Sequence, residues 1–451
     1  MRHTTSLPRY ARVRRAPSGE RGAALILVVF ILTVLVGLVA SLSYTVRVDL
    51  KASRNFADAV QTRSLADAAV YAAMATLKAD TDTGQDNLDD EWALLGDHGT
   101  TEYPLGDGLY RLEVVDACSR LNLNTATREE LLRLPNMTED LVDAIIDWRD
   151  TDQTVTGNGA EQDYYQALTR PYLPKDGPFD SVDELLLVKG FSPKLLYGTA
   201  AESPNQGVTT LGVTADLPLC EYLTTESGEL ERNAAGEARL SLSSVTAAQL
   251  TQQQTVTITQ AQANAIVNRR STSAYASVAD LLDVQGLDQS TAAQIMDLVT
   301  TKTGEINKGA INVNTAPEIV LETLAGVTED VASSIVSHRP YASIGELLTN
   351  GAVEAPVFRQ IAGRVCTKSC YYVVRSFGEM GTGSGTAQTG GIRTAEVALV
   401  QRTADDVKLL QRREVRRWPG WSTWGWGTTG STAGSTTGTT TTGGTGGSTT
   451  P

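Results

Sequence analysis

The chain has 451 residues, of which 41% are hydrophobic and 20% are charged. This length and composition suffice for about three domain-sized units and exclude wholesale disorder. The net charge of −14 argues against a nucleic-acid-binding protein, because such a protein needs cations to neutralise phosphates.

The N-terminus is basic and is followed by an uncharged apolar segment, residues 23–46. A helix of that length, at about 1.5 Å per residue, spans the roughly 30 Å hydrocarbon layer of a membrane. Three interpretations are open: a secretory signal peptide, an ordinary signal anchor, and a leader removed on the cytosolic side of the segment. Gly22, directly before the segment, favours the third. The preceding arginines would then stay in the cytoplasm, with the acidic body across the membrane.

Apolar residues continue at mostly three- or four-residue intervals beyond this segment as far as Leu77, and no proline intervenes. This spacing predicts one long helix over residues 23–80, which becomes amphipathic where it leaves the membrane. No acidic residue occurs between Ala23 and Asp49. A carboxylate in lipid is costly unless it is paired with a positive charge. A segment without one does not pair with a positive charge in the membrane.

The middle of the chain contains a repeat. The hexapeptide LNLNTA at residues 121–126 recurs as INVNTA at 311–316 and, more weakly, as LSLSSV at 240–245. Each copy precedes a helical run, a short turn and a second helix that ends near an arginine. We expect the asparagines and threonine to cap the first helix, and Thr-Glu-Asp to start the second. The pattern predicts helix-hairpin-helix units over residues 121–370.

Such units often bind DNA through hairpin glycines whose amides approach phosphate. The turns here, at 135–138 and 325–328, hold one glycine between them, and each precedes Glu-Asp, which would repel phosphate. We therefore predict a structural role and no nucleic-acid partner. A membrane-anchored DNA-uptake receptor is the alternative, and a hydrolase with paired carboxylates is a third hypothesis.

Carboxylates are concentrated in one short stretch after the first repeat, at Asp147, Asp150, Asp152 and Glu161. Oxygen ligands on a flexible loop suit Ca²⁺, which takes six to eight oxygens. A solvated acidic loop is the alternative interpretation. Another acidic stretch, residues 80–91, matches a calcium loop only weakly.

Strand patterns flank the helical block, at residues 109–115 before it and at 371–377 and 394–401 after it, with a glycine-rich turn between the last two. One sheet interrupted by an insertion is therefore predicted. The fold class is α+β, with a long N-terminal helix packed on a small antiparallel sheet and a large all-α insert of helix-hairpin-helix repeats.

Four cysteines are present, and an exported domain would permit disulfides between them. Cys118 and Cys366 bracket the insert, and Cys220 and Cys370 are the other two. Three pairings are possible, and the sequence does not choose between them.

The segment from Ile145 to Gly198 resembles the helical insert of the minor pseudopilin K family of type II secretion. The resemblance rests on a series that reads DWRDTD at 147–152, GAE at 159–161 and YY at 164–165, and on NVNTAP at 312–317. It covers about residues 20 to 403. The second repeat, residues 240–303, makes this chain longer than a typical member.

This resemblance implies a pilin-like core, cleavage after Gly22 by a prepilin peptidase and N-methylation of Ala23. It also implies that the chain binds calcium, here through Asp147, Asp150, Asp152, Glu161 and Asp163. Major subunits of pilin-like fibres carry a glutamate at the fifth mature position, where this chain has Leu27. An apolar residue there suits the first subunit of a fibre.

The expected partners are the minor pseudopilins I and J, the major pseudopilin and the peptidase. The expected location is the inner membrane, crossed once, with the body in the periplasm and no enzymatic activity. The predicted segments are a leader (1–22), a membrane and amphipathic helix (23–80), a sheet (81–120 and 371–403), the insert (121–370) and a disordered Gly/Ser/Thr-rich tail (404–451).

Overall fold

The computed structural model describes four stretches of the chain: residues 20–80, 84–198, 217–380 and 392–415. The chain divides into two compact units, one ending at Val60 and the other beginning at Gln61. Most of the predicted leader, residues 1–19, lies outside the described residues, as do residues 416–451 of the predicted tail.

The first helix is by far the longest, because no proline interrupts its sequence. The helices α1 to α13 are Glu20–Ala79, Glu91–Leu94, Arg128–Leu132, Glu139–Arg149, Gln162–Gln166, Pro193–Tyr197, Ala247–Thr251, Gln260–Thr272, Gln289–Met296, Glu318–Leu321, Glu329–Ser337, Glu346–Thr349 and Ala355–Ile361. Short 3₁₀ segments lie at Ala117–Ser119, Val182–Leu187, Leu219–Glu221 and Val278–Asp283.

The described strands are of two kinds: those that build one five-stranded sheet, and pairs of strands of two or three residues each within the insert. The strands β1 to β13 are Tyr103–Leu105, Gly108–Asp116, Leu121–Asn122, Leu223–Thr224, Gly228–Leu230, Leu240–Ser241, Val299–Thr300, Ile306–Lys308, Ile311–Asn312, Val365–Cys366, Tyr371–Met380, Arg393–Arg402 and Val407–Glu414. The sheet has the order β1-β2-β11-β12-β13, and all its neighbours are antiparallel.

The sheet is interrupted by the insert, as predicted. Strand β2 pairs directly with β11, with Asp116 opposite Tyr372 and Gly108 opposite Met380. The chain therefore leaves the sheet at the end of β2 and returns to it at the start of β11. The predicted α+β fold with a helical insert is confirmed.

Two details of the predicted sheet are wrong. The tail does not begin at residue 404, because Val407–Glu414 forms β13 and pairs with β12. The polar and apolar residues of this strand alternate too weakly to distinguish it from the tail. Gly378 belongs to β11 rather than to the glycine-rich turn, of which residues 381–391 lie outside the described part.

The outer part of α1 packs on the sheet through small residues. Ala69, Val70, Ala73 and Leu77 are buried in one core with side chains of β2, β11 and β12. Gly378 allows a close approach, since a Cβ there would lie 2.1 Å from the carbonyl oxygen of Thr62. The prediction that this half of the helix packs on the sheet is thus confirmed, although Tyr71, one of the predicted apolar positions, is exposed.

Each of the three repeats closes on itself through a two-residue parallel bridge. Strand β3 pairs with β4 in the first repeat, β6 with β7 in the second and β9 with β10 in the third. The second repeat is enclosed again by the antiparallel pair β5 and β8. The first and last residues of each repeat are therefore neighbours in space.

An arginine at or near the end of the second helix of each repeat has the same role in all three copies. Arg149 donates to the carbonyl oxygens of Leu123 and Ala126, the latter at 2.7 Å. Arg270 donates to Leu242 and Val245 at 3.1 and 3.0 Å, and Arg339 donates to Val313 and Ala316. Each arginine thus satisfies backbone carbonyls at the turn of its own hexapeptide, which are otherwise buried groups without partners.

The asparagines of the hexapeptide join segments, which corrects the expected capping of the first helix. Asn124 donates to the carbonyls of Phe179 and Thr225 and accepts from the Phe179 amide at 2.7 Å. Thr127 caps α3 in a capping box with Glu130. The prediction that Thr-Glu-Asp starts the second helix is confirmed, because Thr138 caps α4. Asparagine donates and accepts at once, so it can join two chain segments.

A buried polar cluster marks the neck of the insert, which we define as the two chain crossings at residues 116–119 and 366–370. The Oδ2 atom of Asp116 accepts hydrogen bonds from Asn312 at 3.0 Å, Thr315 at 2.6 Å and Ser369 at 2.7 Å. Burial raises the pKa of Asp116 to about 6. One carboxyl group therefore connects the end of β2 to the third repeat and to the chain entering β11.

Candidate metal centre

The predicted acidic loop connects α4 to α5. Asp147 lies in the last turn of α4, and Asp150 is the residue that ends the helix. Glu161 occupies the N-cap position of α5. The ends of two helices therefore direct three carboxylates to one place, although these residues are separated along the chain.

These three side chains form a compact cluster. One carboxylate oxygen from each of Asp147, Asp150 and Glu161 lies within 4.8 Å of the other two. Asp147 is fully buried and Glu161 is 5% exposed. Carboxylates so close together and so far from water repel each other strongly unless a cation lies between them.

Five carboxylate oxygens in or beside this cluster are buried and accept no hydrogen bond from the described part of the chain. They are Asp147 Oδ2, Asp150 Oδ1, both oxygens of Glu161, and Asp176 Oδ1. Buried polar atoms in folded proteins nearly always have a partner, so each of these oxygens needs one. A bound cation would supply it to all five.

The acidity of the cluster reflects the same geometry. Burial, followed by repulsion from Asp147, Asp150 and two further aspartates, raises the pKa of Glu161 to about 7. Burial also raises the pKa of Asp147 and of Asp150. The site therefore favours a proton or a metal ion over empty, charged carboxylates.

The surrounding loop is held by contacts that leave the cluster open. Asp147 uses its other oxygen, Oδ1, to accept from the Thr156 amide at 3.0 Å. Lys189 donates to the carbonyls of Asn158 and Gly159 at 2.9 and 3.0 Å. Gly159 also leaves the space that Asp147 fills, since a Cβ there would lie 2.1 Å from Asp147 Oδ2.

The donor set fits Ca²⁺ better than a softer metal. All five unpartnered atoms are carboxylate oxygens, which are the hard ligands that Ca²⁺ prefers, and water or backbone carbonyls can complete six to eight positions. No histidine or cysteine is part of the group. The chemistry that the predicted calcium site requires is therefore present at Asp147, Asp150 and Glu161.

Two predicted ligands lie outside the cluster, and one neighbouring carboxylate was missed. Asp152 is exposed and accepts from the Thr154 amide at 2.7 Å, and Asp163 is exposed in the first turn of α5. Asp176 was not predicted; it is not one of the three clustered residues, but its charge acts on Asp150 and Glu161 and its Oδ1 is buried without a partner. It lies beyond α5, so no spacing rule connects it to the loop, and only its left-handed φ of 47° distinguishes it locally.

The other acidic stretch is satisfied from within the chain. Asp80, Asp86 and Asp90 come together, but Arg402 donates to Asp80 Oδ2 at 2.7 Å and also to Asp86. The Tyr372 hydroxyl donates to Asp86 at 2.9 Å. This cluster therefore joins the chain after α1 to the sheet and leaves no comparable demand for a cation.

Helix α1 is a second candidate functional element. Residues 24–57 are all exposed, and Leu27 is among them. Within the described residues, α1 is the one helix long and apolar enough to cross a membrane. The predicted processing position, between Gly22 and Ala23, lies in its first turn.

Residues 115–198, which contain the acidic loop, match the family model described as Type II secretion system (T2SS), protein K. The predicted resemblance to protein K is confirmed. Proteins named Type II secretion system protein K from Aeromonas hydrophila and Klebsiella pneumoniae are 30% and 27% identical to this chain over 209 and 198 residues. These alignments cover 40% and 39% of the chain, and 62% and 60% of the relatives. The chain thus spans about three fifths of the length of the curated protein K relatives that it matches.

Another relative, a motif and a solved structure also align with parts of this chain. A protein K from Pseudomonas aeruginosa is 29% identical over 38% of this chain and 58% of its own length. Residues 306–366 match a helix-hairpin-helix motif, which agrees with the prediction for the third repeat. A chain of the GspK-GspI-GspJ complex from the enterotoxigenic Escherichia coli type 2 secretion system aligns with a TM-score of 0.43 and 14% identity, over 82% of this chain and 99% of that one.

Proposed function

We propose that this chain is a minor pseudopilin that initiates and caps the pseudopilus of a type II secretion machine, which exports folded proteins across the outer membrane. One observation carries the proposal. An apolar helix with no acid between Ala23 and Asp49 leads into a sheet that is interrupted, between β2 and β11, by an insert resembling protein K.

The helix would act as the element of assembly. After cleavage at Gly22, the mature chain would begin with a methylated Ala23 and remain in the inner membrane through α1, with its body in the periplasm. Leu27 would occupy the fifth mature position. Because it carries no charge, it cannot pair with the amine of a subunit ahead, which suits the first subunit of a fibre.

The insert would act as the cap. It is a large helical body attached at one end of the sheet, and such a bulky head would block the addition of a subunit above it. The minor pseudopilins I and J would join through α1, and the major pseudopilin would continue the fibre below. The chain would position proteins and perform no chemistry of its own.

DNA uptake is not proposed. The first and third hairpins carry exposed acid pairs, Glu139 with Asp140 and Glu329 with Asp330, at the place where a DNA-binding hairpin approaches phosphate. Carboxylates there repel the nucleic-acid backbone.

Processing at Gly22 tests the proposal. Wild type and Gly22→Ala are expressed with the prepilin peptidase, and the mass of each intact chain is measured. The wild type should begin at Ala23, and Gly22→Ala should retain Met1. Gly37→Ala, in the same helix and with open space around the added methyl group, is the control and should be processed normally. A wild-type chain that retains Met1, or a Gly22→Ala chain that begins at Ala23, would contradict the proposed role.

We also propose that Asp147, Asp150, Glu161 and Asp176 hold a structural Ca²⁺ ion. The ion would neutralise the buried carboxylates and fix the loop between α4 and α5. Binding to the folded state alone stabilises a protein by about 2.7 kcal/mol when the free ligand is at 100 times its Kd.

Asp150→Ala tests the calcium site. Calcium should raise the melting temperature of the wild type by several degrees over chelator and should leave that of Asp150→Ala nearly unchanged. Asp163→Ala removes an exposed carboxylate of the same segment and should keep the full calcium response. If the variant at Asp150 responds to calcium as the wild type does, the proposed site is wrong.

A further inference from the structure

Three of the four cysteines converge at the neck of the insert. Cys118 lies two residues after the end of β2, Cys366 ends β10, and Cys370 immediately precedes β11. All three are buried, with at most 1% of any residue exposed. The two chain crossings that attach the insert to the sheet therefore bring thiols together from both sides.

The packing of these cysteines distinguishes one pair. Cys118 and Cys366 pack together with Ala310 in a small buried cluster of their own. The Cys370 thiol donates to the carbonyl oxygen of Gly228 at 3.0 Å, and the Cys118 thiol donates to the same oxygen at 3.2 Å. Cys370 packs in a different cluster, against Ala117 and Tyr371.

The fourth cysteine is separate. Cys220 lies beside Glu221, Arg120 and Arg375, in the network that joins the first repeat to the sheet. Cys220 packs in the large hydrophobic core of the insert, whereas the other three cysteines pack in the two small clusters at the neck.

We propose that Cys118 and Cys366 form a disulfide that closes the neck of the insert. The inference rests on the proposed function in one respect, because export to the periplasm places the cysteines in an oxidising compartment. The bond would join residues on either side of the whole insert, and a cross-link that closes so long a loop restricts the unfolded chain strongly.

The bond would form by exchange with a disulfide donor, a thiol oxidant in its oxidised form. The Cys118 thiolate attacks one donor sulfur, which gives a mixed disulfide and releases the first donor thiolate. The Cys366 thiolate then attacks the Cys118 sulfur and releases the second. Two cysteine protons end on the two donor thiols, the cysteines lose two electrons, and the donor gains them.

Exchange would take place during folding. Burial raises the pKa of Cys366 well above its ordinary value, so the closed neck holds this residue as an unreactive thiol. A donor protein also needs access to the sulfur. The bond would therefore form after export and before the third repeat packs against the end of β2.

The test maps the linkage in the full-length protein, expressed in a bacterium that has a type II secretion machine. Free thiols are blocked with N-ethylmaleimide in denaturant at lysis, and the unreduced protein is digested and analysed by mass spectrometry. The wild type should show alkylated Cys220 and Cys370, and a linked peptide pair containing Cys118 and Cys366. Four alkylated cysteines, or a link that involves Cys370 or Cys220, would overturn the inference.

Variants separate the pairing from other effects. Cys370→Ser removes the competing thiol and should keep the link between Cys118 and Cys366, whereas its loss would show that Cys370 is the true partner. A reducing agent should lower the melting temperature of the wild type and of Cys370→Ser by several degrees, and should not change that of the Cys118→Ser/Cys366→Ser double variant. A reductant effect of equal size in the double variant would also contradict the proposal.

The same spectra keep this inference distinct from the proposed function. A mature chain that begins at Ala23 but has four free thiols would disprove the disulfide and leave the processing intact. A linked chain that still begins at Met1 would support the disulfide and disprove the processing.

Discussion

Asp116 at the neck of the insert gives the fold a defined dependence on pH. Its carboxyl group is 2% exposed and accepts hydrogen bonds from Asn312, Thr315 and Ser369. Burial disfavours the charged form more than these donors favour it, so the pKa rises from 3.8 to about 6. The folded protein therefore holds a proton here that the unfolded chain releases.

The sign of the effect follows from the proton count. Between about pH 4 and pH 6 the folded state binds more protons than the unfolded state, so the free energy of unfolding falls as the pH rises. The raised pKa corresponds to about 3 kcal/mol of stability, present below pH 4 and lost by pH 7. Asp116→Asn cannot titrate. Relative to this variant, the wild type should therefore lose about 2.4 kcal/mol from pH 4 to pH 7, because Asp116 of the unfolded chain is already more than half ionised at pH 4.

The assay is urea unfolding of the full-length protein in a non-ionic detergent, followed by tryptophan fluorescence at four pH values between 4 and 7.5 and constant salt. The variant also loses hydrogen bonds, and this loss lowers its free energy of unfolding at every pH. The comparison is therefore between the slopes of the two plots of unfolding free energy against pH. Asp406→Asn is the control, because a bond from Lys78 lowers the pKa of Asp406 and reverses the sign. Parallel curves for wild type and Asp116→Asn would refute the reasoning.

Two further changes test the packing. Arg339→Met leaves two carbonyl groups of its repeat without a donor and should lower the free energy of unfolding by about 2–3 kcal/mol in urea titrations. Its control, Arg359→Met, breaks a half-exposed ion pair and should lower the free energy of unfolding by less than about 1 kcal/mol. Gly378→Ala should lower the free energy of unfolding by about 3 kcal/mol, because its Cβ would lie 2.1 Å from the backbone of α1. Its control, Gly363→Ala, whose added Cβ would have its nearest neighbour 4.0 Å away, should unfold like the wild type. Equal losses within either pair would contradict the respective contact.

The elements with a strong local pattern could be predicted from the sequence. Residues 23–80 have no proline and carry apolar side chains at helical spacing, so one long helix was the expected outcome. The hexapeptide repeats predicted the three helical units because each copy keeps its arginine. The inserted sheet followed from strand patterns on both sides of the repeats. Periodicity and turn residues determine such features locally.

Features that depend on distant contacts could not be predicted. Asp176 reaches the acidic cluster only because the chain folds back after α5, whereas Asp152 and Asp163, which have the expected spacing, point to solvent. Asn124 was expected to cap a helix, but its partners are Phe179 and Thr225, far along the chain. Hydrogen-bond partners of this kind are set by tertiary packing and leave no trace in spacing.

The parallel bridges that close the repeats bear on how the chain acquired its length. The second repeat starts at β6 and ends at β7, which pair with each other, and the flanking strands β5 and β8 also pair. A segment whose two ends meet can be duplicated or deleted as one block, and only the junction must be rebuilt. Relatives with and without this module can therefore share the same neck and sheet, so the size of the insert can change while the rest of the fold is kept.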